Sequence, residues 1–331
     1  MAMRYRAVGR SGLLVSAIGL GGNSWGAKGR RGWGAFDARE SRPFIKRALD
    51  CGITFFDTAD AYNAGESETI LGAALLDYAK REEVVIATKV GLAMGERPNA
   101  AGVGRKHLVS AVEASLKRLG TDYVDLLYVH RLDGTTPMAE LVATLETIVR
   151  AGKARYIGGS TMPAYRFAQM LLHSDALPLA RPIAMQNLYN LVQREEEAEM
   201  LPLCAEEGVG LTPYSPLARG FLGANRAREG TRSTERAQND ANVGDLFRAS
   251  DYDVLDRVLA TAAAHGAKPA AVALAWLLQH DVMAAPIIGV TRLGQIEDSL
   301  AALELRLSAD EIAALEAPYV PRQVAGIRGR G

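Results

Sequence analysis

The apolar segments of this 331-residue chain predict an α/β protein, a closed (β/α)8 TIM barrel built as one domain over residues 1–331 with a long loop after the seventh strand. Three observations lead there. Short apolar runs alternate with helix-like stretches from Ala17 to about Leu303, no Pro/Gly/Ser-rich linker divides the chain, and three of the early runs end in polar side chains. Strands buried on both faces read as continuous apolar runs, and a barrel carries its reactive groups at their C-terminal ends.

The expected strands, in order, are AIGLGG (17–22), ITFFDT (53–58), VVIATK (84–89), VDLLYVH (124–130), ARYIGGS (154–160), IAMQN (183–187), VGLTPYS (209–215) and APIIG (285–289). Between them, Leu108, Val109, Val112, Leu116 and Leu119 recur at helical spacing before Gly120, a suitable C-terminal stop. A second helix is expected from Pro137 through Leu141, Leu145 and Ile148 to Gly152. A doubly wound open sheet is the weaker alternative. It lacks its G-x-G-x-x-G signature, because GLGGNSWG has Ser24 where the last glycine belongs.

Residues 222–250 do not fit the alternation: they are polar, rich in Arg and Asn, and longer than the ~12–15 residues usual for an unstructured connection. Placed after the seventh strand, this segment reads as a lid over a cofactor, with plain disorder as the other reading.

Composition narrows the partners. Lys plus Arg equals Asp plus Glu at 38 each, so nothing points to nucleic acid or a membrane surface. Cys51 and Cys204 stand far apart in no metal-ligand spacing, and His107, His173, His265 and His280 fall on helical stretches, so no metal is expected. The N-terminus lacks the apolar stretch of a signal peptide, and no run approaches the roughly 18 residues of a membrane helix. A cytoplasmic protein is the expectation.

The strand endings form a chemical set. FFDTADAY supplies Asp57 and Tyr62, VVIATK supplies Lys89, and DLLYVH supplies His130. Reducing a carbonyl requires hydride at carbon and a proton at oxygen. A tyrosine, with an ordinary pKa of about 10, becomes a useful acid near neutrality only beside a cation that favours its phenolate. Lys89 suits that task, Asp57 can keep a buried lysine charged, and a neutral His130 can orient the carbonyl oxygen. One at a time, such residues are more often packing, a helix cap or a solvated strand end. Four compatible ones at three successive strand ends argue for a site.

The second half offers a nucleotide site. Tyr214, Ser215, Leu217, Arg219 and Gly220 make a turn with backbone amides, a hydroxyl and a guanidinium for a pyrophosphate. Gly289, Thr291 and Arg292 lead into a helix carrying Gln295. Ser160 and Gln186, at the ends of the fifth and sixth strands, can hold a carboxamide, and Tyr214 can stack on a nicotinamide ring. Trp25 and Arg131 are expected in the substrate pocket, where Trp25 would form an aromatic wall.

GITFFDTADAYNAGESE, HLVSAVEASLKRLGTDYVDLLYVHRLD, GKARYIGGS, QNLYNL, YSPLARGFL and PIIGVTRLGQIEDSL stand in an order that resembles the aldo-keto reductase superfamily over nearly the whole chain. Thr161-Met162, the ending EAPYVPR and the long polar loop are similar to its bacterial and fungal aryl-alcohol dehydrogenase-like branch. The resemblance implies NADPH/NADP+ as cofactor, with NADH possible, and Tyr62 as general acid tuned by Lys89 and Asp57, with His130 orienting the carbonyl. It places Ser160, Gln186 and Tyr214 around the nicotinamide. The YSPLARG turn and the segment from Thr291 through Asp298 would hold the pyrophosphate and 2′-phosphate. Thr161 and Ser299 stand where many members have Asn, Gly289 where some have Lys, and Asn63 where glycine is usual. Small carbonyl compounds are the implied substrates, and oligomeric state is open. The same superfamily includes potassium-channel β subunits, so a redox-sensing regulatory subunit is the alternative function.

Overall fold

The computed structural model describes residues 3–26, 36–177, 179–225 and 247–322. Eight parallel strands follow the predicted runs, each shorter than or equal to its run except at Val90: β3 (Gly19–Gly21), β4 (Phe55–Asp57), β5 (Val85–Val90), β6 (Val124–Val129), β7 (Ala154–Ser160), β8 (Ala184–Gln186), β9 (Gly210–Leu211) and β10 (Ile287–Ile288). From β3 to β9 each pairs with the next, and β10 pairs with β3 with Ile287 opposite Gly19. The Tyr214–Ile287 bridge, with Ile287 N donating to Pro213 O at 2.9 Å, joins the β9 and β10 ends and closes the ring. The fold is the (β/α)8 barrel, and the doubly wound alternative is excluded by this cyclic order.

The outer layer follows from helical apolar stripes. Helices α1 (Ala38–Asp50), α2 (Glu66–Tyr78), α3 (Arg105–Leu119), α4 (Met138–Arg150), α5 (Ala164–Ala176) and α6 (Met200–Glu207) cover the strands in turn. After β9 come α7 (Ala249–Ala264) and α8 (Pro269–Leu278), and after β10 come α9 (Gly294–Leu300) and α10 (Ala309–Glu316). Leu108, Val112, Leu116 and Leu119 of α3, and Leu141, Leu145 and Ile148 of α4, are buried against the sheet. Gly120 ends α3 in the left-handed region at φ 66°, as its lack of a Cβ permits. Pro137 stands one position earlier than expected, as the N-cap of α4.

One element had no forecast. An antiparallel hairpin, β1 (Tyr5–Ala7) with β2 (Leu14–Ser16), covers the N-terminal end of the barrel. Val8 and Val15 join Phe55, Ala87, Leu126 and Ile287 in a second buried cluster, and Arg6 donates to Met283 O at 2.8 Å and Leu278 O at 2.7 Å. Three-residue strands carry too little alternation to be read from sequence.

The lid expectation for 222–250 lies mainly outside the described residues. Leu222 and Gly223 end a short helical turn, Ala224 and Asn225 follow it, and α7 begins at Ala249. No single helix among the described residues is long and apolar enough to cross a membrane. Cys204 is buried, which pushes its thiol up to about 12.

Candidate active site

Asp57 ends β4, and five residues later the chain enters a tight turn, Tyr62–Gly65. Asn63 and Ala64 sit there with φ of 49° and 54°, and Asn63 donates its side-chain amide to Trp25 O at 2.5 Å. Asparagine tolerates the left-handed region better than most residues, so this position accepts it in place of glycine and gains an anchor. Tyr62 is thereby fixed over the end of β5.

Lys89, on β5, is 1 % exposed. Its ammonium donates to Asp57 Oδ2 at 2.5 Å and Thr58 O at 2.9 Å, and lies 3.2 Å from the Tyr62 hydroxyl, so all three of its protons have acceptors. Burial opposes the charge, but Asp57 and Tyr62 outweigh it and hold the lysine above its ordinary range. Lys89 is thus an ammonium held between Asp57 and Tyr62.

His130, just past β6, meets the Tyr62 ring edge-on, with centroids 5.7 Å apart. Burial, then Lys89 and Arg131, lower its pKa to about 2, so the imidazole is neutral. Its Nδ1 is buried with no hydrogen-bond partner among the described residues. Arg131 folds back to donate to His130 O at 2.9 Å.

Asp60 was not foreseen. It is fully buried between Asp57 and Tyr62, and its carboxylate oxygens find no well-formed hydrogen bond, only the favourable dipole of the Ala61 N–H. Burial, reinforced by Glu68, raises its pKa to about 7. Glu68 itself is held by Thr88 at 2.5 Å and Arg118 at 2.7 Å.

A cavity of about 380 Å³ opens beside Asp57 and Tyr62 and runs to the turns after β9 and β10. Tyr214, Ser215, Leu217, Arg219 and Gly220 line one wall, and Gly289, Thr291, Arg292, Gln295 and Asp298 line the other. The first wall is a run of left-handed backbone, with φ of 51° at Ser215, 58° at Arg219 and 90° at Gly220. On the second, Gln295 Oε1 accepts from Thr291 N at 2.7 Å and Arg292 N at 3.1 Å. Both of these amides are therefore already engaged by a side chain.

Other expected residues sit elsewhere. Ser160 donates to Gln186 O at 3.0 Å, and Gln186 donates its amide to Asp57 Oδ1 at 2.9 Å, so both side chains are occupied within the protein. Thr161 donates its backbone N–H to Asn187 Oδ1 at 3.1 Å and lies 3.4 Å from the Tyr214 hydroxyl. Trp25 is 1 % exposed in the core, so it supports the loop from behind rather than forming an open aromatic wall; its neighbours Asn23 and Ser24 face the cavity. Lys268, immediately before α8, also lines the cavity and was missed, because it follows a helix rather than a strand.

The aldo/keto reductase family model matches residues 17–319. This chain belongs to the aldo/keto reductase family. It is 40 % identical to versiconal hemiacetal acetate reductase of Aspergillus parasiticus, over 97 % of this chain and 98 % of the relative. It is 38 % identical to an aryl-alcohol dehydrogenase-like protein of Schizosaccharomyces pombe, over 97 % of each. It is 39 % identical to aldo-keto reductase dtxS3 of Metarhizium robertsii, over 97 % of this chain and 92 % of the relative. As an aldo-keto reductase it is an oxidoreductase, of a family that uses NAD(P)H on small carbonyl compounds.

Proposed function

We propose that this aldo-keto reductase reduces an aldehyde or ketone to the alcohol with NADPH, and that Tyr62 delivers the proton. One observation carries the reading: the Lys89 ammonium touches both Asp57 Oδ2 and the Tyr62 hydroxyl at the mouth of the cavity, at 2.5 and 3.2 Å. A cation held there by a buried carboxylate lowers the cost of phenolate as the proton leaves. Neutral His130 offers a ring N–H, not a charge, to the same oxygen. The carbonyl is thus polarised by two neutral donors backed by one fixed cation.

The cavity fits a dinucleotide in its donor set. When bound, the reduced nicotinamide supplies hydride to the carbonyl carbon. Tyr214 would lie against the nicotinamide, the Ser215–Gly220 turn and Arg219 against the pyrophosphate, and Lys268 with Arg292 against the 2′-phosphate. Among the described residues, neither Lys268 nor Arg292 has an ion-pair partner, so both charges are available to a ligand. The relatives named as a hemiacetal acetate reductase and an aryl-alcohol dehydrogenase-like protein support a carbonyl substrate.

The test is turnover of purified protein with NADPH and a panel of aromatic and aliphatic aldehydes, followed by loss of reduced-nicotinamide absorbance. Tyr62→Phe is expected to lower kcat by roughly 10²–10⁴ while leaving NADPH affinity within about threefold. Equal turnover in the two proteins would overturn the reading.

A further inference from the structure

Asp57 has two oxygens, and only Oδ2 is on Lys89. Oδ1 is held from across the barrel by the Gln186 amide at 2.9 Å. Gln186 in turn adjoins the Tyr128 hydroxyl, which lies 2.7 Å from Thr212 Oγ1. Tyr128 is thus hydrogen-bonded to Thr212 on one side and to Gln186 on the other, and Thr212 Oγ1 also lies 3.5 Å from Met185 O. Gln186 thus stands between Asp57 and Tyr128, and Thr212 anchors the far end of the row.

The row is buried in the barrel interior. Asp57, Gln186, Tyr128 and Thr212 are 2 %, 1 %, 0 % and 0 % exposed. Tyr128 fits because Gly158 faces it on β7, where a Cβ would come within 2.8 Å of the ring. A buried hydroxyl and a buried amide are costly unless paired, so this row has the geometry of a designed support rather than of filler.

We propose that Gln186 and Tyr128 are positioning residues which fix the Asp57 carboxylate from behind, so that Lys89 keeps one proton aimed at Tyr62. With Oδ1 capped by a neutral donor, the carboxylate cannot rotate, and part of its charge is compensated away from Lys89. Without that cap, Lys89 can slide to straddle both oxygens, and the field at Tyr62 becomes more negative. Both effects disfavour phenolate. The inference takes its functional meaning from the reading of Tyr62 as the acid, yet it concerns a property of the protein alone.

The test is a spectrophotometric tyrosinate titration of the full chain without ligand, in which each protein is compared with its own Tyr62→Phe partner to isolate the Tyr62 transition. Gln186→Met keeps the shape and removes the amide; Tyr128→Phe keeps the ring and removes the hydroxyl. The other ionisable groups around Tyr62, namely Lys89, His130, Asp60 and Glu68, are unchanged in both. The Tyr62 transition is expected to move to higher pH by about one unit in Gln186→Met and by a smaller step in Tyr128→Phe. Should either variant unfold, the other decides, together with Thr212→Val, which removes the far anchor of the row. Folded variants whose Tyr62 transition stays at the wild-type position, or moves to lower pH, overturn the proposal. Because no turnover is measured, an inactive wild-type protein would sink the carbonyl reductase reading and leave this one standing.

Discussion

Asn63 donates its side-chain amide to the Trp25 carbonyl at 2.5 Å, and through this bond the turn that carries Tyr62 is tied to the loop after β3. Asn63 also holds a φ of 49°, which glycine adopts freely and alanine resists. Asn63→Gly should therefore lose only the bond, about 1 kcal/mol, and Asn63→Ala the bond plus strain, about 2 kcal/mol. Urea unfolding of the two variants checks the order. If alanine proves as stable as glycine, the strain account is wrong.

Asp60 sets a pH dependence of stability. Its folded pKa is raised to about 7 from an ordinary 3.8, so the folded chain holds a proton that the unfolded chain has released across that window. Stability therefore falls as pH rises from about 4 to 7, and the loss is complete above it. Asp60→Asn removes the titration. The variant should gain on the order of 1–3 kcal/mol over wild type at pH 8.5 and little or nothing at pH 4. Thermal melts at the two pH values decide it, and a gain confined to the acid side would refute the assignment.

Two cations at the far end of the cavity set the expected preference for NADPH. Lys268→Ala and Arg292→Ala should each weaken NADPH binding by about tenfold, and NADH binding by less than about threefold. Quenching of tryptophan fluorescence reads both affinities. The NADPH values should also fall more steeply with salt than those for NADH, since the contact is between partly exposed charges. Equal losses for the two cofactors would move these residues away from the 2′-phosphate.

The barrel strands were legible because burial on both faces leaves only apolar residues, and the chemical residues announced themselves by interrupting those runs at their ends. Asp57, Tyr62 and Lys89 come together as that logic requires. What stayed hidden was cross-barrel pairing. Nothing local tells that Gln186 reaches Asp57, which is 129 positions away, because the partner is set by the strand order around the barrel. Lys268 was missed for a related reason: its neighbours in space are on a different element from its neighbours in sequence. Trp25 was misplaced because an aromatic beside glycines reads equally as a wall or as a wedge, and only the packing against Gly22 distinguishes them.

The ring closes by pairing Ile287 with Gly19, its last strand with its first, and Arg6 reaches carbonyls at Leu278 and Met283. A ribosome must therefore deliver the chain through Ile287 before the first barrel strand acquires its second neighbour. Until then β3 presents an unpaired edge, and the hairpin has no finished floor to sit on. The open edge of β3 is thus a feature of the nascent sheet until Ile287 has been synthesised, and its exposure to aggregation is set by the spacing between the two strands that close the ring.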